Sequence, residues 1–133
     1  MSPPAVSRTD ILLVEPDPAE AELASRCLRS RLAIAHDAQE AIRLAEALSP
    51  KVLLLNPRLP DEDGLSLLQR LRRHPRLATL PVVILSSDDA PSEVTRALSL
   101  GANSVVVKPV RYEALQATLS EVESYWLGRH AAV

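Results

Sequence analysis

Phenylalanine is absent from this 133-residue chain, and aromatic residues together reach only 2%. The core must therefore come from Leu, Val, Ile and Ala rather than from stacked rings. The single cysteine, Cys27, excludes an internal disulfide and suits a reducing, cytoplasmic setting. Within "LASRCL" it reads as a small buried hydrophobe of a helix. No apolar run approaches the ~20 residues that a membrane span requires. The opening "MSPPAVSRTD" lacks the apolar stretch of a signal peptide. Basic residues are not in excess either: 15 Lys and Arg against 17 Asp and Glu give a net charge of −2. That gives no reason to expect nucleic-acid binding, which usually depends on a strongly basic face. Arg72, Arg73 and Arg76 cluster, and read as a solvated helix end.

What is present is a soluble globular balance, 47% hydrophobic and 24% charged, in a length that suits one domain. Four short apolar runs recur: "ILLV" (11–14), "VLLL" (52–55), "VVIL" (82–85) and "VVV" (105–107), with "RLAIAH" (31–36) a weaker fifth. They are continuous rather than alternating, as strands covered on both faces should be. Helical spacing lies between them. Ala38, Ala41, Ile42 and Ala45 keep it, as do Val94, Ala97, Leu98 and Gly101, and Leu115, Leu119, Val122 and Trp126. Local punctuation agrees. "DPAE" (17–20) sets an Asp N-cap, a Pro at the first helical position and a Glu at the capping-box position, and "DAQE" (37–40) repeats the Asp-to-Glu spacing. Gly101 fits a helix C-terminus, and the prolines of "HPRLATLP" (74–81) stop the third helix. Strand and helix thus alternate five times, predicting a doubly wound α/β domain over 10–127, with a flexible start at 1–9 and a tail at 128–133.

In such sheets the ligand site lies beyond the carboxyl ends of the strands. That rule selects Glu15-Pro16-Asp17, Asn56-Pro57-Arg58, Ser86-Ser87 and Lys108-Pro109 as one convergent set. Lys108 is notable because the chain has only two lysines. Other chemistry is poorly supported. His36, His74 and His130 have no metal-ligand spacing and read as solvated. Ser86-Ser87 has neither a partner His nor a nucleophile elbow. "LPDEDG" (59–64) lacks calcium-loop spacing and reads as a solvated turn. No catalytic residue emerges, so the protein is not expected to be an enzyme.

The segments "ILLVEPDPAEAEL", "VLLLNPRLPDEDGLSLL", "LPVVILSS" and "LGANSVVVKPV", in this order, are similar to the response-regulator receiver domain over about residues 10–127. The resemblance implies a flavodoxin-like (βα)5 fold with strand order 2-1-3-4-5. It also implies an Asp phosphoacceptor after the third strand, an acidic pair after the first that holds Mg²⁺, a Ser or Thr after the fourth and a Lys after the fifth. A carboxylate attacks phosphorus, a hard cation neutralises the phosphoryl oxygens, and a hydroxyl and an ammonium bind the product. Ser86 and Lys108 match their places, and the Lys108–Pro109 bond is cis in the family's usual pattern. Glu15 matches the first acid, and Arg58 would offer its backbone carbonyl to the metal. Pro16 stands in place of the second acid, Asn56 in place of the acceptor, and Val105 where many receivers carry a switching aromatic.

Asn56 has no carboxylate oxygen with which to attack phosphorus. With Pro16 and Asn56 present, Glu15 is the one remaining first-rank carboxylate, so Mg²⁺ binding at Glu15, Asn56 and Arg58 is expected to be vestigial and no other cofactor is expected. The departures read together as divergence. The expectation is a pseudo-receiver of two-component signalling that works by protein contact, with Asn56, Ser86 and Lys108 a degenerate phosphorylation site. The alternative is a conventional phosphorelay receiver in which Asn56 is an engineered replacement of Asp. The chain ends soon after Trp126, so output is expected through a surface. In the family that surface is helix 4, strand 5 and helix 5, here carrying Val94, Leu98, Val105, Val110, Tyr112, Tyr125 and Trp126. "SYWLG" resembles stand-alone regulators linked to phytochrome-type histidine kinases. The expected partners are a histidine kinase or another signalling protein and a second copy of the chain, not nucleic acid or membrane.

Overall fold

A computed structural model describes residues 9–88 and 90–128. The expected segment 1–9, apart from Thr9, lies outside the described residues, as do His130 and the 129–133 part of the tail. Strands β1 (Ile11–Val14), β2 (Leu32–Ala35), β3 (Val52–Leu55), β4 (Val82–Ser86) and β5 (Ser104–Val107) alternate with helices. These are α1 (Pro18–Cys27), α2 (Ala38–Leu48), α3 (Gly64–Arg73), α4 (Pro91–Ser99) and α5 (Tyr112–Leu127). The strands form one parallel sheet in the order β2-β1-β3-β4-β5.

The continuous apolar runs are explained by the two cores they serve. Leu12, Val14, Leu53, Leu55 and Ile84 face one side, against Ala38, Ala41 and Ala45 of α2, Leu67, Leu68 and Leu71 of α3 and Ala97 of α4. Their neighbours Ile11, Leu13, Val52, Leu54, Val83 and Leu85 face the other, against Ala21 and Ala24 of α1 and Leu115, Leu119 and Val122 of α5. Each fully buried Leu or Ile contributes about 1.5–3 kcal/mol of apolar transfer, so a sheet sealed on both faces is held firmly at its centre. The small alanines let α1 and α2 lie close to it. No helix of the described residues is long and apolar enough to cross a membrane.

Cap chemistry sets the loops. Asp17, Asp37 and Asp63 accept hydrogen bonds from Ala19 N, Glu40 N and Leu65 N at the starts of α1, α2 and α3. Gly101 follows α4 at φ 111°, a left-handed conformation that a side chain would strain. Four sequence expectations are corrected here. Arg72 is not part of a solvated end. Its Nε donates to Gly101 O at 3.0 Å, Nη1 to Leu80 O at 2.8 Å and Ala78 O at 3.3 Å, and Nη2 to Asn103 Oδ1 at 3.0 Å. The guanidinium fork can serve several acceptors at once, and these carbonyls have turned toward it. "LPDEDG" is not merely a solvated turn: Asp61 accepts from Ala38 N and Gln39 N and so caps α2 from across the loop, while Glu62 pairs with Arg70. Those backbone bonds, Ala38's first, lower the Asp61 pKa against a smaller opposing effect of burial. His74 is half-buried rather than solvated, with Nδ1 accepting from Arg76 N and Nε2 3.4 Å from Glu46. The α4 stripe is also narrower than its spacing suggests, because Ala97 is buried but Leu98 is 47% exposed.

Candidate functional site

The carboxyl ends of β1, β3 and β5 bring Glu15, Asn56 and Lys108 together at one cleft of about 770 Å³. Glu15 is buried, and both its oxygens are engaged. Oε1 accepts from Asn56 Nδ2 at 3.1 Å and from Lys108 Nζ at 3.2 Å. Oε2 accepts from Asp17 N at 3.0 Å and, more loosely, from Asn56 Nδ2 at 3.3 Å. Asn56 is held from its other end as well, since its Oδ1 accepts from Arg58 N at 2.9 Å. An amide suits this place because it donates to a carboxylate on one side and accepts from a backbone N–H on the other. Gly64 permits the loop to close. Its N donates to Pro57 O at 2.9 Å, and a Cβ there would meet Pro57 Cα at 2.6 Å.

Lys108 lies between two carboxylates, with Nζ 3.2 Å from Glu15 Oε1 and 3.0 Å from Glu20 Oε2. Burial alone would lower its pKa. The hydrogen bond it donates to Glu20 and the charge and accepting oxygen of Glu15 outweigh that and hold it above the ordinary lysine value of 10.5. Glu20 therefore does not turn back to complete a capping box: Lys108 takes its carboxylate, and the Asp17 N–H goes to Glu15. The α2 start differs, because Glu40 does turn back, though to His36 N rather than Asp37 N.

Ser86 is placed apart from this group. Its Oγ donates to Asp88 O and accepts from Asp88 N, and it lines the cavities on the α4 side rather than the Lys108 cleft. The structure joins Ser86 to Lys108 only through the backbone, Lys108 N donating to Ser86 O at 2.7 Å. The Lys108–Pro109 bond is trans, contrary to expectation; a trans X–Pro bond is the more favourable by about 0.5–1 kcal/mol. Of the surface residues, Val110 is fully exposed, and Tyr125, Leu98 and Tyr112 are 75%, 47% and 41% exposed. Val94 and Val105 are half-buried, as is Trp126, which packs on the α1–α5 core and meets Tyr125 edge-on.

The sequence did not single out Glu20 as Lys108's partner, nor Asp61, Arg72 or Glu123 as anchors. Glu123 is buried and accepts from Arg29 N, Ser30 N and Ser30 Oγ, tying α5 to the loop after α1. Its one signal was a carboxylate next to the apolar stripe of α5.

The model of the response regulator receiver domain matches residues 11–120. The chain belongs to that family. It is 36% identical over 129 residues to the Probable methanogenesis regulatory protein FilR2 of Methanothrix harundinacea, covering 89% of this chain and 83% of that protein. It is 34% identical to the transcriptional regulatory protein TrcR of Mycobacterium tuberculosis, of which it spans 48%. Its fold matches the phosphorylated cyanobacterial phytochrome response regulator RcpA with a TM-score of 0.84 at 26% identity, covering 94% of this chain and 98% of that one. The chain is thus a receiver domain of two-component signalling, a family whose members interact with histidine kinases and other signalling proteins.

Proposed function

We propose that this receiver works without phosphorylation, as a protein-interaction module whose former reaction centre is internally satisfied. The observation that carries the reading is the single hydrogen-bonded unit of Asn56, Glu15 and Lys108. Asn56 offers no nucleophilic carboxylate, and its amide is committed at both ends. Mg²⁺ does not fit these residues. Pro16 contributes no oxygen side chain, Glu15 is already bonded at both oxygens, and an ammonium stands where a metal's charge would be. Among the described residues no group of three or more His, Cys, Asp or Glu side chains converges to hold a metal. Ser86 being closed on its own turn supports the same reading.

Output on this reading passes through the face shared by α4, β5 and α5. Leu98, Val107 and Tyr125 are exposed on these elements, whereas Val110 and Tyr112, expected on the same face, line the cleft on its α1 side. The occupants that suit it are a second copy of the chain or another signalling protein such as a histidine kinase, rather than nucleic acid or membrane. Fluoroberyllate, which mimics an acyl phosphate on a carboxylate, tests the reading. Amide NMR spectra with Mg²⁺ and fluoroberyllate should match those without. Saturable shifts spreading from residue 56 to Ser86 and Lys108 would overturn it.

A further inference from the structure

The cleft is acidic as well as internally bonded. Glu15, Asp17, Glu20 and Asp88 line it, against Lys108 and Arg58. That balance disfavours an incoming anion and favours positive charge, and among the described residues Lys108 is the cation that bonds to two of these carboxylates. Lys108 Nζ lies 3.2 Å from one carboxylate and 3.0 Å from another, in a side chain only 15% exposed. Glu15 belongs to the end of β1 and Glu20 to the first turn of α1, so the two oxygens converge from different elements on one point.

We propose that Lys108 is the resident counter-ion of a Glu15–Glu20 carboxylate pair, that it bars divalent cations from the cleft, and that it fastens the β5–α5 loop to α1. This rests on the reading of the site as closed to metal and phosphate, and names the group that closes it. The chemistry is that of substitution. Two carboxylates, completed by water, are a sufficient protein contribution to a hard divalent cation. An ammonium held between them supplies one charge and directed hydrogen bonds instead, with no ion to recruit from solution. Glu20 then takes the part that an acid at position 16 would have played, from one turn further along the chain. Its capping-box geometry is given up for that role. Glu20 is a positioning residue: it acts by holding Lys108 and, through it, Val110 and Arg111 at the start of α5.

Manganese broadening of amide NMR signals in the full chain tests this, because Mn²⁺ is a hard divalent probe that marks its own location. Wild type should show no localised broadening. Lys108→Met, which keeps the apolar stem and removes the charge, should gain broadening centred on the Asp17 and Asn56 amides, and the added change Glu20→Gln should abolish it. A folded Lys108→Met protein that responds to Mn²⁺ like wild type would overturn the proposal, and so would localised broadening of equal strength in wild type. Glu20→Gln alone gives a second arm that does not require the buried change. Hydrogen-exchange protection of the Lys108 and Leu115 amides, which donate to Ser86 O and Arg111 O on either side of that loop, should fall about fivefold, the scale of one partly exposed ion pair. Unchanged protection there would refute the fastening role. Failure of either arm would leave the phosphorylation-independent reading standing, whereas a phosphoryl adduct on the wild-type chain would sink that reading without touching these outcomes.

Discussion

Replacing Arg72 with Ala removes a fork that joins the α3–β4 and α4–β5 loops at the end of the sheet remote from the cleft. Four acceptors lose a donor, but unequally. Asn103 Oδ1 still accepts from Val82 N at 2.9 Å, and the bond to Ala78 O is long at 3.3 Å. The losses that matter are Leu80 O, in a buried residue, and Gly101 O. With about 1–1.5 kcal/mol for each carbonyl left unmet, and a further contribution from the aliphatic stem packed on Gly101, the total comes to about 3 kcal/mol. Urea unfolding with a slope of about 2 kcal/mol/M would then show a midpoint lower by about 1.5 M. Lys has one donor centre in place of three, so Arg72→Lys should recover less than half. The neighbouring exposed Arg73 supplies the control, and Arg73→Ala should stay within about 0.5 kcal/mol. A midpoint for Arg72→Ala within about 0.3 M of wild type, at an unchanged slope, would refute the staple.

The remaining predictions follow from the same contacts. Gly64→Ala forces a Cβ onto Pro57 backbone and should cost about 2–3 kcal/mol in urea unfolding, where ordinary helix propensity would predict a gain. Asp61 should titrate below its ordinary 3.8 in carboxyl NMR, its stabilisation present above that value and lost as pH falls through the lower folded value; Asp61→Ala should erase that acid-side step. Lys108 behaves in the opposite sense. Its folded pKa is raised, so its contribution is complete below 10.5 and is lost as pH climbs through the higher folded value, a step in alkaline unfolding that Lys108→Met should lack. If a second copy covers the α4–β5–α5 face, Leu98→Glu and Tyr125→Ser should each shift sedimentation toward the monomer; an unchanged distribution would argue against the dimer.

Much of this molecule was legible in its sequence because one physical rule governed each legible part. Continuous apolar runs meant strands covered on both faces, and the two cores on either side of Leu53-Leu54-Leu55 show why. The strand-end rule brought Glu15, Asn56 and Lys108 to one cleft. What was illegible concerned side chains whose partners lie far along the chain. Glu20 looks like a capping-box residue by spacing, yet an ammonium 88 positions later is the stronger partner. Asp61 caps a helix that begins 23 residues before it, and Arg72 bonds to a carbonyl 29 residues on. Ser86 was read correctly as a strand-end hydroxyl, but its turn with Asp88 aims it away from Lys108. Spacing reports which face of an element a residue occupies, and it carries no information about which distant loop arrives there.

The most direct test of the central claim is the intact mass of the wild-type chain after incubation with acetyl phosphate and Mg²⁺, with Asn56→Asp run beside it. The account predicts that the wild-type mass stays unmodified, because an amide bonded to Glu15 and Arg58 N cannot become an acyl phosphate. A phosphoryl adduct on the wild-type chain, mapped to residue 56, would contradict it.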